Sequence, residues 1–254
     1  MTGAGRPPVV LLHALLQDSS MWEAQRRALI RLGHRVLVPD QRGFGRTPLG
    51  DREPAIDLLA DDVARLLDDE GIDRAAVIGS SMGGYVAMDV LRRHPDRVAA
   101  LGLLASRATA DSPADRVHRE WTAARCVNGR AWTELLARLV PALTGRTTRA
   151  TRPAVTARVR RTASATDPAS LAWALHAIAD RPCSLAVLHE ARVPSAVIAG
   201  AEDDLVHLDE MRAAAAALPH GRLVVIPDAG HLPPLETPEP VAEALHGLLQ
   251  ETSC

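Results

Sequence analysis

One serine in this chain is set where its hydroxyl could act as a nucleophile. It is Ser81, in Gly79-Ser80-Ser81-Met82-Gly83-Gly84. The apolar run Ala75-Ala76-Val77-Ile78 leads into Gly79, and a helical pattern starts directly after Ser81. Small residues at 79, 83 and 84 let a strand and a helix approach closely, which forces the central residue toward positive φ. Such a turn aims one side chain at the N-terminus of the following helix, where backbone N–H groups favour developing negative charge. A serine hydroxyl is a poor nucleophile without a base, and the base needs a third group to fix its tautomer and balance its charge. Of ten histidines, His231 in Asp228-Ala229-Gly230-His231 is placed best, in a loop directly after the last strand pattern. His13 is the rival; it ends the first strand, where a buried histidine would brace the neighbouring loop. Asp203, in Gly200-Ala201-Glu202-Asp203-Asp204, is the matching acid. Glu202 and Asp204 beside it read as loop or helix-entry charge, and Asp228 reads as a turn residue before Gly230. The end of the strand at Leu104 carries Ala105-Ser106 and no carboxylate.

The elements that must hold these residues alternate along the chain. Strands are predicted at Val9 to His13, Arg35 to Pro39, Ala75 to Ile78, Val98 to Leu104, Ser195 to Ala199 and Arg222 to Ile226, with the first, second and fourth reading as buried. Ser20 with Glu23 forms a capping-box signature for a helix through Leu32. Asp57 to Glu70 is amphipathic and stopped by Gly71. Further helices follow over 82–94, His207 to Leu218 and Pro238 to Leu249. The alternation lapses from Arg107 to Arg192, where helical patterns dominate, as in Asp115 to Arg125, Ala131 to Leu139 and Ala169 to Ala179. This stretch holds 14 arginines against 7 acidic residues, while the remainder holds 15 against 24. Strands alternating with helices imply an α/β fold with a doubly wound, mostly parallel sheet. The interruption reads as a helical cap, so residues 1–106 and 193–254 form the core and 107–192 the cap. Ligands of such sheets bind at the carboxyl ends of the strands, where each of these loops lies.

Composition narrows the function classes. Apolar residues make up 47% of the 254, yet aromatics are limited to four Trp, one Tyr and one Phe. Every basic residue is arginine, which removes lysine-nucleophile and Schiff-base chemistry. A net charge of −2 argues against a nucleic-acid partner. Three widely spaced cysteines suggest neither a disulfide framework nor a metal site, and no cofactor is called for. No secretory signal pattern precedes Val9 and no apolar run reaches membrane-spanning length, so a soluble, cytoplasmic protein acting on a small molecule is expected. The sequence leaves the oligomeric state open.

Together the motifs resemble the α/β-hydrolase family over Val9 to Leu104 and Val193 to Leu249. His13-Ala14-Leu15 resembles the family's oxyanion loop, with alanine where glycine is usual and where a positive φ would cost alanine energy. Asp40-x-Arg42-Gly43-x-Gly45 resembles its second-strand loop, and Gly79-x-Ser81-x-Gly83-Gly84, Gly200-x-x-Asp203 and Gly230-His231 complete the set. The order Ser81, Asp203, His231 is that of this family. The resemblance implies an oxyanion hole made by the backbone N–H groups of Leu15 and Met82. Met21-Trp22 and the spacing to the cap look most like the branch containing 3-oxoadipate enol-lactonases and small carboxylesterases. It implies a serine hydrolase of esters or lactones. The same groups would also serve carbon–carbon bond hydrolysis, cofactor-free oxygenation or a low-turnover ligand receptor.

Two expectations concern the substrate. Apolar cap contacts should hold it, with Trp121, Trp132 and Trp173 as candidate pocket walls. Six arginines lie between Arg146 and Arg161 with no acid among them. They form either a solvated basic face or, for one or two of them, a site for a substrate carboxylate.

Overall fold

The computed structural model describes residues 6–126 and 129–252, and in it the apolar runs become a six-stranded parallel sheet. Its strands are β1 (Val9–Leu12), β2 (Val36–Leu37), β3 (Ala75–Ser80), β4 (Val98–Leu104), β5 (Ser195–Gly200) and β6 (Gly221–Ile226). Their order is β2-β1-β3-β4-β5-β6. The central strands are apolar on both faces because helices cover both faces of the sheet. Alternate residues go to opposite layers. Val10, Leu12, Val77, Leu101 and Val197 pack in one cluster with α2 (Ile56–Asp69), α3 (Met82–Arg93) and α10 (Leu208–Ala217). Val9, Leu11, Ile78, Ala100 and Ile198 pack in another with α1 (Glu23–Arg31) and α12 (Pro238–Glu251). The order reverses between β1 and β3, which opens a crevice at their carboxyl ends.

Among the described residues six helices separate β4 from β5: α4 (Pro113–Cys126), α5 (Gly129–Ala142), α6 (Arg146–Thr151), α7 (Pro153–Ala165), α8 (Pro168–Ala179) and α9 (Leu185–Glu190). A four-residue turn, α11 (Pro233–Glu236), precedes α12. No helix among the described residues is long and apolar enough to cross a membrane.

Two local expectations are corrected. The strand predicted over Arg35 to Pro39 is two residues long and half-buried. It lies at the sheet edge, and a short edge strand limits unwanted pairing. The start of α1 is also built differently from the predicted Ser20 cap. Residues Ser19–Trp22 form a 3₁₀ turn whose N-cap is Asp18, which accepts the Ser20 N–H at 2.9 Å. The Ser19 N–H goes to Asp40 Oδ1 at 2.8 Å, so the carboxylates of Asp18 and Asp40, and not a Ser20–Glu23 box, satisfy the first N–H groups of this turn.

Candidate active site

Ser81 occupies the turn between β3 and α3 with φ 52° and ψ −112°. The glycines around it leave no room for a side chain. A Cβ on Gly79 would lie 2.0 Å from Gly83 O, and one on Gly83 2.3 Å from Leu12 O. The Ser81 N–H donates to Leu104 O at 2.8 Å, and its carbonyl accepts the N–H groups of Gly84 and Tyr85 at 2.9 and 3.2 Å, with the buried Ser106 hydroxyl 3.1 Å from it and 2.7 Å from Leu104 O. These bonds hold the strained residue in place.

The structure brings Ser81 together with residues from two other loops. Ser81 Oγ is 2.8 Å from His231 Nε2. On the other side of the ring, His231 Nδ1 is 2.9 Å from Asp203 Oδ2 and 3.1 Å from Oδ1. The His231 and Asp203 side chains are 5% and 3% exposed, so water does not compete for these contacts. Asp203 Oδ1 also accepts the N–H groups of Leu205 and Val206 at 2.8 and 3.1 Å. Burial alone would push the Asp203 carboxyl up. The His231 charge, its hydrogen bond and the two backbone N–H groups outweigh that and hold it below the usual carboxylate range. An ionised Asp203 at Nδ1 leaves Nε2 free to take the serine proton.

The decoys have other positions. Asp204 is exposed, and Asp228 is an exposed turn residue with φ 54°. His13 is fully buried, with Nδ1 2.9 Å from Ala14 O and Nε2 accepting the Gln41 N–H at 2.9 Å. Burial pushes its pKa down, so it is a neutral brace between two loops.

The loop His13-Ala14-Leu15 follows β1. Among the described residues, no acceptor takes the N–H of Leu15, and Met82 opens α3 with its N–H likewise unengaged. In this loop the positive φ, which would have cost alanine energy at position 14, falls on Leu16, at 61°. Leu15 and Leu16 both line a cavity of about 270 Å³ that opens onto Ser81 and His231. Leu139, Leu143, Leu175 and Val206 supply further apolar wall.

None of the three candidate tryptophans lines this cavity. Trp121 is 48% exposed and stacks on His118, with the Arg125 guanidinium 4.7 Å from its ring centre. Trp132 lines a separate hollow with Leu136 and Arg160. Trp173 is buried in the core and donates to Arg52 O at 2.7 Å. Instead, Asp115, His118, Arg119 and Thr122 present one face of α4 to the cavity, joined by Tyr85 and Arg107. Positions 115, 118, 119 and 122 follow helical spacing, and a polar stripe of that spacing was the available signal. Sequence reasoning also missed Glu236, and it read Glu202 as loop or helix-entry charge, whereas that side chain is buried against the insertion. Glu236 accepts the N–H groups of Gly230, Leu232 and Gly145. Glu202 accepts both the N–H and the hydroxyl of Thr147. Among the described residues no group of three or more His, Cys, Asp and Glu side chains could hold a metal ion.

With a doubly wound sheet, a strained serine at its β3–α3 turn and a histidine and carboxylate in line with it, the molecule has the build of a hydrolase. The sequence profile of the alpha/beta hydrolase fold matches residues 7–238. A pimeloyl-[acyl-carrier protein] methyl ester esterase of Aromatoleum aromaticum is 32% identical over 96% of this chain and 99% of its own length. An esterase of Thermogutta terrifontis superposes with a TM-score of 0.93 at 35% identity, covering 98% of this chain and 92% of that one. The enol-lactonase of Burkholderia xenovorans LB400 gives 0.88 at 29%, covering 97% and 92%. The chain belongs to the α/β-hydrolase family, and it is a hydrolase enzyme.

Proposed function

We propose that this hydrolase cleaves a small carboxylic ester or lactone, with Ser81 as nucleophile, His231 as general base and acid, and Asp203 as the group that orients and balances the imidazole. The observation that carries this reading is the unbroken line from Ser81 Oγ through His231 to Asp203, at 2.8 and 2.9 Å, facing a cavity. The esterase and lactonase relatives support it. Residues 107–192 are assigned to the cap, and a cytoplasmic location fits the reading.

The reaction would run in two halves. Ser81 Oγ bonds to the substrate carbonyl carbon while its proton passes to His231 Nε2. The carbonyl π pair becomes an oxyanion, met by the Leu15 and Met82 N–H groups; such donors contribute about 3–4 kcal/mol each in comparable sites. As the tetrahedral species collapses, the C–O bond to the alcohol breaks and the alkoxide takes the proton from His231. Water, giving its proton to His231, then attacks the acyl-serine, and the Ser81 oxygen leaves with that proton. In a lactone the leaving alcohol stays tethered to the acyl group. A cavity of about 270 Å³ lies just below the ~300–1,000 Å³ of drug-sized sites and suits a short acyl chain.

Turnover of a short-chain aryl ester and a small lactone by wild type and Ser81→Ala tests this. The variant should fold normally and lose roughly 10⁵-fold or more in kcat. Retained turnover would contradict the proposal.

A further inference from the structure

The buried carboxylate of Glu236 has no part in that chemistry, yet it grips both neighbours of His231. The residue is 3% exposed at the end of the short turn α11. Its Oε1 accepts the Gly230 N–H at 2.9 Å and the Leu232 N–H at 3.0 Å, the residues immediately before and after His231. Its Oε2 accepts the N–H of Gly145 at 2.7 Å, at the start of α6 in the helical insertion. Hydrogen bonds to an ionised acceptor away from water are short and strong. The Leu232 N–H lies in the peptide plane directly after the His231 Cα and the Gly230 N–H in the plane one residue further back, so the two bonds hold the backbone that sets the His231 Cα–Cβ direction, and hence the aim of its ring. The same loop is tied to the insertion a second time, where Arg152 Nη1 donates to Asp228 O at 2.8 Å.

We propose that Glu236 is a positioning residue: it sets the orientation of His231 toward Ser81 and makes that orientation depend on the docked segment around Gly145. This rests on the reading of Ser81, His231 and Asp203 given above. Glu202 supplies the comparison. It grips the same segment through Thr147, at 2.8 Å to N and 2.6 Å to Oγ1, with Arg146 3.2 Å away, but its carboxylate bonds neither neighbour of His231. Losing Glu202 should loosen the insertion over the cavity, whereas losing Glu236 should misdirect the base.

The test measures kcat and KM of Glu236→Gln, Glu202→Gln and Ser81→Ala on one ester, with near-UV circular dichroism on each. Glutamine keeps the shape of Glu236 but sets a donor against one of the three N–H groups. Glu236→Gln should keep the native spectrum and lose about tenfold or more in kcat, with KM within about twofold of wild type. Glu202→Gln should act mainly by raising KM. A folded Glu236→Gln with unchanged kcat overturns the proposal. So does a change in KM alone in both variants, which would make Glu236 only a second anchor of the insertion. If Glu236→Gln loses the native spectrum, Glu236→Asp carries the test by the same criteria, because it keeps the charge but is one methylene too short for both contacts. Loss of the native fold in both overturns the proposal in favour of a purely structural role. Turnover surviving in Ser81→Ala would bring down the underlying reading and this proposal with it, a result distinct from unchanged kcat in Glu236→Gln.

Discussion

At Asp203 the carboxylate meets His231 on one side and the Leu205 and Val206 N–H groups on another, while the adjacent Asp204 is exposed. Asp203→Asn should therefore lower kcat by roughly four orders of magnitude through the wrong imidazole tautomer. Asp204→Asn should leave kcat near wild type. Equal losses at the two positions would contradict the assignment of the acid. Because the Asp203 pKa is depressed in the folded protein, its ionisation contributes stability above the unfolded value of about 3.9. That contribution is lost as pH falls from there through the lower folded value. Urea titrations at descending pH should show wild type losing more stability below about pH 4 than Asp203→Asn does. Cys126 behaves in the opposite sense. It is 1% exposed and donates to Thr122 O, and burial pushes its thiol up to about 11. Alkylation of the native protein at mildly alkaline pH, mapped by peptide, should modify the exposed Cys183 and leave Cys126 intact. Comparable rates at the two would contradict the burial argument.

Among the elements, the β3–α3 turn was the most legible in the sequence, because its requirement is steric and local. Three small residues around one serine leave few alternatives, and Gly79→Ala tests that reading. Its Cβ would overlap Gly83 O at 2.0 Å, a backbone atom that cannot rotate away. The substitution should cost about 3 kcal/mol or more in chemical denaturation, with loss of turnover. A folded, active Gly79→Ala protein would show that the turn has slack. The parallel sheet was legible from its apolar runs, except for β2, which pairs with β1 over only two residues. The helical insertion was harder to read. Its tryptophans look like pocket walls by residue type, yet helix rotation turns Trp121 outward and takes Trp173 into the core. The polar stripe from Asp115 to Thr122 resembles a solvated face until α4 is seen to lie over the cavity. Glu236 was illegible because its donors are backbone N–H groups, which carry no residue type and include one 91 positions away.

For the molecule as a whole, the arginines of the run from 146 to 161 attach the insertion to the sheet region, through one ion pair and two backbone carbonyls. Arg146 pairs with Glu202 at 3.2 Å, Arg152 reaches Asp228 O, and Arg158 reaches Ser20 O across the chain. No arginine between 146 and 161 lines the cavity beside Ser81. The cations that do, Arg107 and Arg119, share the buried carboxylate of Asp111 with Arg181, and Arg107 also faces Asp115 and Glu210 at 3.7 and 3.3 Å, so three carboxylates meet three guanidinium groups. With these cations already compensated, an ester bearing a distal carboxylate should have no higher kcat/KM than a neutral one of equal size. Added salt should change their ratio little. A strong, salt-sensitive preference for the acidic ester would contradict this. The central claim is that catalysis passes through a covalent bond to one oxygen atom, and a fluorophosphonate probe examines that bond directly. Intact mass and peptide mapping after labelling should find one adduct per chain, on Ser81, and none on Ser81→Ala. An adduct on Ser80 or another residue, or labelling that persists in Ser81→Ala, would contradict the account.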